Sequence, residues 1–542
     1  MLFSKFVSRV VHKHIYFPII KRSCCSASTC GGAPPVPEAT TEARDEGGNP
    51  GLVLGVFEES GSFELTSAAA EVDQKSGGKV SQKLNELSCS MKLGTAFVIT
   101  DVAPEYGAVA LASYGPKDAG WNELEQLDEK RENIRHGVGA GVKALSARRC
   151  ARVAVDAGGE PAAAAEAAAL AAWRFQEFRS CTDRDPVSSV SMYGPPDPSW
   201  ATGSIRGEAQ NWARYLSDMP ANKMTPVDMA QAALDTLCPL GVKVSCRDRT
   251  WIEAQKMEAL LAVARGSCEE PMFLECEYRG TNGPPVLLAA KGVTFDSGGL
   301  CLKRPEDMVE NRGSMAGAAV ALAAIKALAL MKVPVNVVAV IPLCENMISG
   351  QCMKVGDMVR ALNNLSIQIE DTDMEGRLVL ADALLYGQAA HRPALVLDVA
   401  TLTHGILLAT GGGAFGAFTN HAGLWGALRA AGGGAGDRPW RLPLWGYYQR
   451  QITNEPAVDL RNKGSGLATA CLGAAFLKNF VCGDWLHLDI TGVGKLAHSQ
   501  PPYLDQRRMT GRPARTLIYL FEEISKGCLK KESDPSPCAN KD

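Results

Sequence analysis

The sequence predicts an α/β protein of two layered domains, a smaller one over 52–203 and a larger one over 204–524. Three observations carry this. Short apolar runs alternate with stretches of helical period from Leu52 onward. Pro186, Pro195, Pro196 and Pro198 break that alternation within one short segment. A chain of 542 residues, 46% of them hydrophobic, supplies ample core for two or three domains.

The elements follow in order. Met1–Pro37 holds no Asp or Glu, yet Lys5, Arg9 and Lys13 face Phe3, Phe6, Val7, Val10 and Val11 across a helical wheel. That is the composition of a mitochondrial presequence, so residues 1–37 predict a matrix protein; the alternative is a basic surface arm on a cytoplasmic one. A secretory signal would need an uninterrupted apolar run, and charges interrupt this one. Residues 38–51, rich in Pro, Gly, Thr and acids, read as a linker. Strands are predicted at 52–57, 95–99, 108–112 and 151–155, with helices over 122–145 and over the alanine-rich 161–178, where Trp173, Phe175 and Phe178 continue a helix-like spacing.

The proline-rich stretch 182–204 is read as the domain linker, and the helical stretch 204–219 as part of the connection. Beyond it, strands are predicted at 242–246, 272–278, 285–290, 335–343, 395–399 and 485–490. Helices are predicted at 314–330, 376–390, 464–480 and 512–524. Residues 525–542 are polar and read as a disordered tail.

Charge and cysteine content exclude several classes. With 56 Lys+Arg against 59 Asp+Glu and no basic stripe, the chain is no electrostatic binder of nucleic acid. No stretch reaches the roughly 18 to 20 uncharged apolar residues of a membrane span, so no membrane insertion is expected. Seventeen cysteines without a CxxC pair predict reduced thiols, and Cys276, Cys344 and Cys471 lie in apolar runs.

Chemistry concentrates in two segments. Lys291-Gly-Val-Thr-Phe-Asp296-Ser-Gly-Gly-Leu-Cys-Leu-Lys303 follows an apolar strand, and Asp371-Thr-Asp373-Met-Glu375-Gly-Arg377 precedes a helix. Open α/β sheets place their sites at such strand ends. Acids at a helix start are also ordinary complements of the helix dipole. A calcium loop of the EF-hand kind is disfavoured, because Asp382 stands where a bidentate Glu is needed and residues 366–370 look extended.

Together the two segments resemble the leucyl aminopeptidase (M17) family, whose signature Asn-Thr-Asp-Ala-Glu-Gly-Arg-Leu parallels Asp371-Thr-Asp-Met-Glu-Gly-Arg-Leu378. The likeness continues through Met219-Pro-Ala-Asn222, Pro342-Leu-Cys-Glu-Asn346, Ala400-Thr-Leu-Thr403, Trp485-Leu-His-Leu-Asp489 and Met509-Thr-Gly-Arg-Pro513. It implies a small N-terminal α/β domain and a larger C-terminal domain on a mixed sheet. It further implies a homohexamer acting on peptides, with two divalent ions, Mn²⁺ or Zn²⁺, that clamp a water and polarise the scissile carbonyl. By the same resemblance Asp296 and Glu375 would bridge the ions, Asp373 would complete the first site and Lys291, as a neutral amine, would help hold the second. Lys303 would stabilise the oxyanion, and Arg377 would hold a bicarbonate serving as general base.

One position departs. The family's remaining aspartate ligand falls on Ser314. Four carboxylates would neutralise two dications, whereas Asp296, Asp373 and Glu375 leave one positive charge uncompensated, and a short neutral hydroxyl is a poor replacement. One metal site is therefore expected, with the second weak or empty. Ser314 also precedes an alanine-rich helix, where serine serves as an N-cap. The substrate pocket is expected around Asn311, Thr401, Leu402 and His404, with Asn311 replacing an apolar Met and His404 a Gly. Asp371 adds a further charge, and Glu310, four residues before Ser314, is a conceivable substitute for the lost ligand that its spacing alone disfavours.

Two functions are consistent with these residues. One is a catalytically impaired member of the fold with a structural role in mitochondria. In its presequence and lost ligand the chain most resembles the insect sperm-enriched, mitochondrial paralogues. The other is a working metalloaminopeptidase releasing residues such as Leu from peptide amino termini.

Overall fold

The structure, a computed structural model, describes residues 49–495 and 501–527. The predicted presequence (1–37), nearly all of the linker (38–51) and the tail beyond 527 lie outside the described residues. Two sheets organise the chain. The N-terminal one has six strands: Ala96–Ile99, Ala108–Pro116, Pro50–Glu59, Arg152–Val155 and Ser189–Met192 in spatial order, with Ser62–Leu65 folded back on Pro50–Glu59. Its central strands run parallel and are almost wholly apolar, as strands covered on both faces must be.

The C-terminal sheet has nine strands and is mixed. From one edge it runs Pro439–Arg441, Phe415–Thr419, Trp485–Asp489, Leu395–Ala400, Val286–Ala290, Asn336–Asn346, Met272–Arg279 and Lys243–Arg247, while Gly292–Asp296 pairs with the far half of Asn336–Asn346. Trp485–Asp489, Leu395–Ala400, Val286–Ala290 and Asn336–Asn346 are mutually parallel and aim their carboxyl ends the same way. Helices Pro198–Asp218, Ala316–Met331 and Ala514–Ser525 cover one face, and Gly376–His391 with Thr469–Leu477 the other. A two-domain, two-sheet α/β architecture is thus what the alternating pattern predicted.

Several elements differ from their sequence expectation, each for a local reason. The helix predicted over 122–145 begins at Glu129, because Trp121–Asn122 and Leu127–Asp128 form a hairpin. Asn122 Oδ1 accepts from the backbone of Leu124 and Glu125, a side-chain turn that competes with helix. The alanine-rich helix stops at Ala172 instead of 178. Trp173 leaves it in extended conformation to stack under the Arg214 guanidinium, 4.1 Å from its ring centre.

The segment read as a linker supplies the edge strand Ser189–Met192, and the following helix starts at Pro198, capped by Asp197. The helix predicted from 464 begins at Thr469, since Gly464 takes a left-handed φ of +76°. Ser314 is no N-cap: it lies inside the 3₁₀ turn Val309–Met315, and the α-helix starts at Ala316 without a side-chain cap.

Contrary to expectation, one helical stretch, Pro305–Met331, is long and apolar enough to cross a membrane, but 78% of its apolar window is buried inside the protein. Apolarity all round marks a core helix here. Cys276, Cys344 and Cys471 are buried free thiols as predicted, whereas Cys238 is disulfide-bonded.

Candidate metal centre and substrate cavity

The site grows from the carboxyl ends of the parallel strands, where backbone direction reverses and side chains can converge. Lys291 follows Val286–Ala290, Asp296 closes Gly292–Asp296, Asn346 closes Asn336–Asn346, and Thr401–Thr403 follow Leu395–Ala400. After Asp296 the chain turns through Gly298, whose φ of +88° suits glycine, and the Lys303 amide donates to the Ser297 carbonyl at 2.9 Å to close the loop. Thr372 ties this loop to the second acidic segment: its hydroxyl donates to the Gly298 carbonyl (2.7 Å) and accepts from the Cys301 amide (2.8 Å). At Gly376 an added Cβ would sit 2.9 Å from Lys291 Cδ, so glycine there leaves the lysine its path to Glu375.

Asp296, Asp373 and Glu375 each bring a carboxylate oxygen within 4.8 Å of the others. Asn346 and the Gly298 amide each donate to Asp296 Oδ1 at 2.9 Å, which fixes its rotamer. Lys291 Nζ lies 2.6 Å from Glu375 Oε1 and donates to the Thr401 carbonyl at 2.9 Å. Lys303 pairs with Asp296 at 3.1 Å and touches Asp373 as well. Burial opposes the charge on Lys303, but Asp296, Glu375 and Asp373 outweigh it and raise its pKa above the ordinary lysine value. Burial first, then the Asp296 charge, pushes Asp373 up to about 7.

Arg377, buried in the first turn of Gly376–His391, donates to the Asn462 carbonyl at 2.7 Å and leaves Nε without a partner. Burial lowers its pKa to about 10.

The fit to a cation can be tested on these atoms. Asp373 Oδ1 and Glu375 Oε1 are buried, and although each touches a lysine, neither accepts an aligned hydrogen bond. Three clustered carboxylates with free lone pairs suit one hard or borderline dication. A second finds no carboxylate at Ser314, and Glu310 is not part of the acid cluster among the described residues.

The cluster opens into a cavity of about 410 Å³. Every site residue expected from the sequence lines it: Lys291, Asp296, Lys303, Asn311, Ser314, Asp373, Glu375, Arg377, Thr401, Leu402 and His404. His404 is exposed at the start of the short helix His404–Thr410 and is not among the clustered ligands. Hollows of about 770 and 780 Å³ elsewhere are larger but gather no comparable acid and lysine cluster.

Asp371 adds no free charge to the cavity, because Lys463 neutralises it at 2.9 Å. Sequence reasoning missed that lysine, the roles of Asn346 and Asn462, and several lining residues, Thr491 and Lys495 among them. Their one signal is position: Thr491 and Lys495 follow closely on the strand Trp485–Asp489.

Comparison with known proteins decides the family. Residues 211–518 match the catalytic domain of the cytosol aminopeptidase family, and residues 53–182 match its N-terminal domain. The chain belongs to this family. It is 40% identical to the cytosol aminopeptidases of Xenopus tropicalis and Homo sapiens, over 88% of this chain and 93% of each of theirs. Among solved structures it is similar to the bottromycin maturation enzyme BotP in complex with Mn, with 29% identity and a TM-score of 0.75 over 88% of this chain and 100% of that one. A mutant tomato leucine aminopeptidase is likewise similar, with 27% identity and a TM-score of 0.74 over 88% of this chain and 94% of that one. The two-domain fold of this chain is therefore that of the M17 metallopeptidases.

Proposed function

We propose that the chain is a leucyl aminopeptidase-type protein that holds one divalent ion, Mn²⁺ or Zn²⁺, and is catalytically impaired as a peptidase, serving a structural role as a homohexamer in mitochondria. The observation that carries this is Ser314. It lies on the cavity wall beside an acid cluster of three, and no other acid of the described residues joins that cluster. A bound dication would polarise a substrate carbonyl and acidify a water. Asp296, Asp373 and Glu375 would hold it, with Lys291 beside Glu375. The acid-free presequence composition supports the mitochondrial setting, and the substituted ligand supports a place among sperm-enriched paralogues.

The second reading, an active aminopeptidase with one ion, is favoured by a specific placement. Lys303 faces the acid cluster as a fixed cation for a developing oxyanion, and Arg377 keeps an unpaired Nε that suits a bicarbonate.

The test is Mn²⁺ stoichiometry and leucyl-anilide hydrolysis of the purified chain beside Ser314→Asp. The impaired reading expects one ion and negligible turnover in the parent, with two ions and activity in Ser314→Asp. Parental activity matching the variant's would establish the second reading.

A further inference from the structure

Lys495 stands at the end of the short turn Thr491–Gly494, on the cavity wall that also carries Ser314 and Asn311. Its Nζ donates to Asn311 Oδ1 at 2.7 Å. Asn311 is itself oriented, because its Nδ2 donates to the Asp307 carbonyl at 2.7 Å and leaves the amide oxygen aimed at the lysine. Thr491, beside them, is held by Asp489 through its hydroxyl at 2.7 Å. The ammonium is thus positioned by neutral oxygen, on a wall where a leucine side chain would meet polar groups.

Charge pairing separates Lys495 from its neighbours. Lys291 has Glu375 at 2.6 Å, Lys303 has Asp296 at 3.1 Å, and Arg304 has Asp307 at 3.4 Å. Among the described residues Lys495 has no carboxylate within ion-pair reach. Glu310 acts on it electrostatically but makes no such pair. Burial, followed by repulsion from Lys291 and Lys303, lowers its pKa below the ordinary lysine value. A desolvated cation without a counter-ion is costly to hold and gains most from a ligand carboxylate.

We infer that Lys495, held by Asn311, is the receptor for a side-chain carboxylate, so that the cavity takes a peptide whose amino-terminal residue is Glu or Asp in preference to Leu. The inference rests on the cavity being an amino-terminus pocket, as proposed above, but needs no turnover. The carboxylate would pair with the Lys495 ammonium while the cluster of acids receives the substrate's amine, directly or through its ion.

The test is calorimetric titration of the full chain, with Mn²⁺ present, by L-glutamic acid α-amide, L-glutamine amide, L-leucine amide and acetate. The three amides share an amino end and differ in the side chain alone. The expected result is at least about tenfold tighter binding of the glutamic amide than of the other two, equivalent to one bidentate or charge-assisted contact, and no measurable binding of acetate. In Lys495→Gln the glutamic amide should fall to the level of the glutamine amide, whose own affinity stays within a few fold. In Lys495→Glu the order should reverse in favour of L-lysine amide, a gain that a misfolded variant cannot show.

Equal binding of the glutamic and leucine amides overturns this inference alone, as does a preference that survives Lys495→Gln. Acetate binding as tight as the glutamic amide overturns it in favour of a general anion site. Failure of all amides to bind overturns both the inference and the reading of the cavity as an amino-terminus pocket.

Discussion

Two of the buried charge clusters among the described residues are built on opposite terms. Between the domains, Arg135 donates to Glu166 (3.0 Å), Glu132 (3.0 Å) and the Gly434 carbonyl (2.6 Å), while Arg515 donates to Glu166 (2.8 Å) and Gln210 (2.7 Å). The hydroxyls of Tyr519 and Tyr503 complete Glu166 and Glu132 at 2.9 and 2.8 Å. None of these four ionised side chains has an orphaned polar atom, although Arg206, 3.6 Å from Glu166, leaves its Nε without a partner. In the cavity, Asp373 Oδ1, Glu375 Oε1 and Arg377 Nε lack hydrogen-bond partners, and among the described residues Lys495 makes no ion pair, with Glu310 and Asp296 acting on it only from a distance. The lesson is that fully partnered carboxylates mark charge used to join domains, and carboxylates with orphaned oxygens mark charge reserved for a ligand.

The sharpest way to break that contrast is Glu166→Gln. It leaves Arg135 and Arg515 buried against a neutral amide, and an unpaired buried charge costs about 3–5 kcal/mol. Denaturant unfolding should show that loss; a change under about 1 kcal/mol would mean the network is not structural. The pH dependence follows from the same groups. Burial alone would raise the pKa of Glu166, but Arg135, Arg515 and Arg206 hold it below its ordinary 4.5, and His136 and Arg135 do the same for Glu132. A lowered folded pKa means that their contribution is complete above about pH 4.5 and is lost as the pH falls below it. Stability should therefore decline by up to about 1.4 kcal/mol per pH unit for each carboxylate, and thermal melts from pH 6 to 3.5 should show a smaller acid-induced fall in Glu166→Gln.

The same amide replacement in the cavity should do the reverse. Asp373→Asn removes a carboxylate whose charge burial and Asp296 already disfavour, and it leaves Lys303 paired with Asp296, so stability should change by less than about 1 kcal/mol, while Mn²⁺ affinity falls at least about tenfold, since even groups behind the ligands matter that much. Calorimetric Mn²⁺ titration alongside a thermal melt reads both. A large loss of stability with unchanged Mn²⁺ affinity would assign the cavity charges to the structural class.

How much of this was legible in the sequence follows from distance along the chain. Asp296 and Lys303, and Asp373, Glu375 and Arg377, lie in two short segments at predicted strand or helix ends, so local pattern drew attention to them and the family resemblance gave them their roles. Ser314 was legible as a lost ligand only through the family resemblance, and its supposed capping role failed because it lies inside the 3₁₀ turn Val309–Met315. The Lys495 contact with Asn311 spans 184 positions and leaves no trace in periodicity. Trp173 leaving its helix for Arg214, and Asn122 starting a turn where a helix was predicted, are cases of tertiary or side-chain competition overriding an alanine-rich or amphipathic pattern.

The smallest effect belongs to the pair that straddles the two classes. Asp371 was read as extra charge at the cluster, yet Lys463 lies 2.9 Å away and is half exposed, while the Asp371 carboxylate also accepts from the Asp373 amide at 3.0 Å. Burial would raise the Asp371 pKa, but Lys463 and that amide together lower it. In Asp371→Asn the side-chain oxygen can still accept from Asp373, so the acidic loop keeps its shape and only a partly solvated ion pair is lost. Such pairs contribute about 0–1 kcal/mol. The expected outcome is an unfolding free energy within about 1 kcal/mol of the parent's and an Mn²⁺ affinity within about fivefold, the same energy expressed as a ratio. If Mn²⁺ binding instead collapsed, Asp371 would be acting on the metal site through Asp373, and the line drawn between paired and unpaired charge would have to be moved to include it.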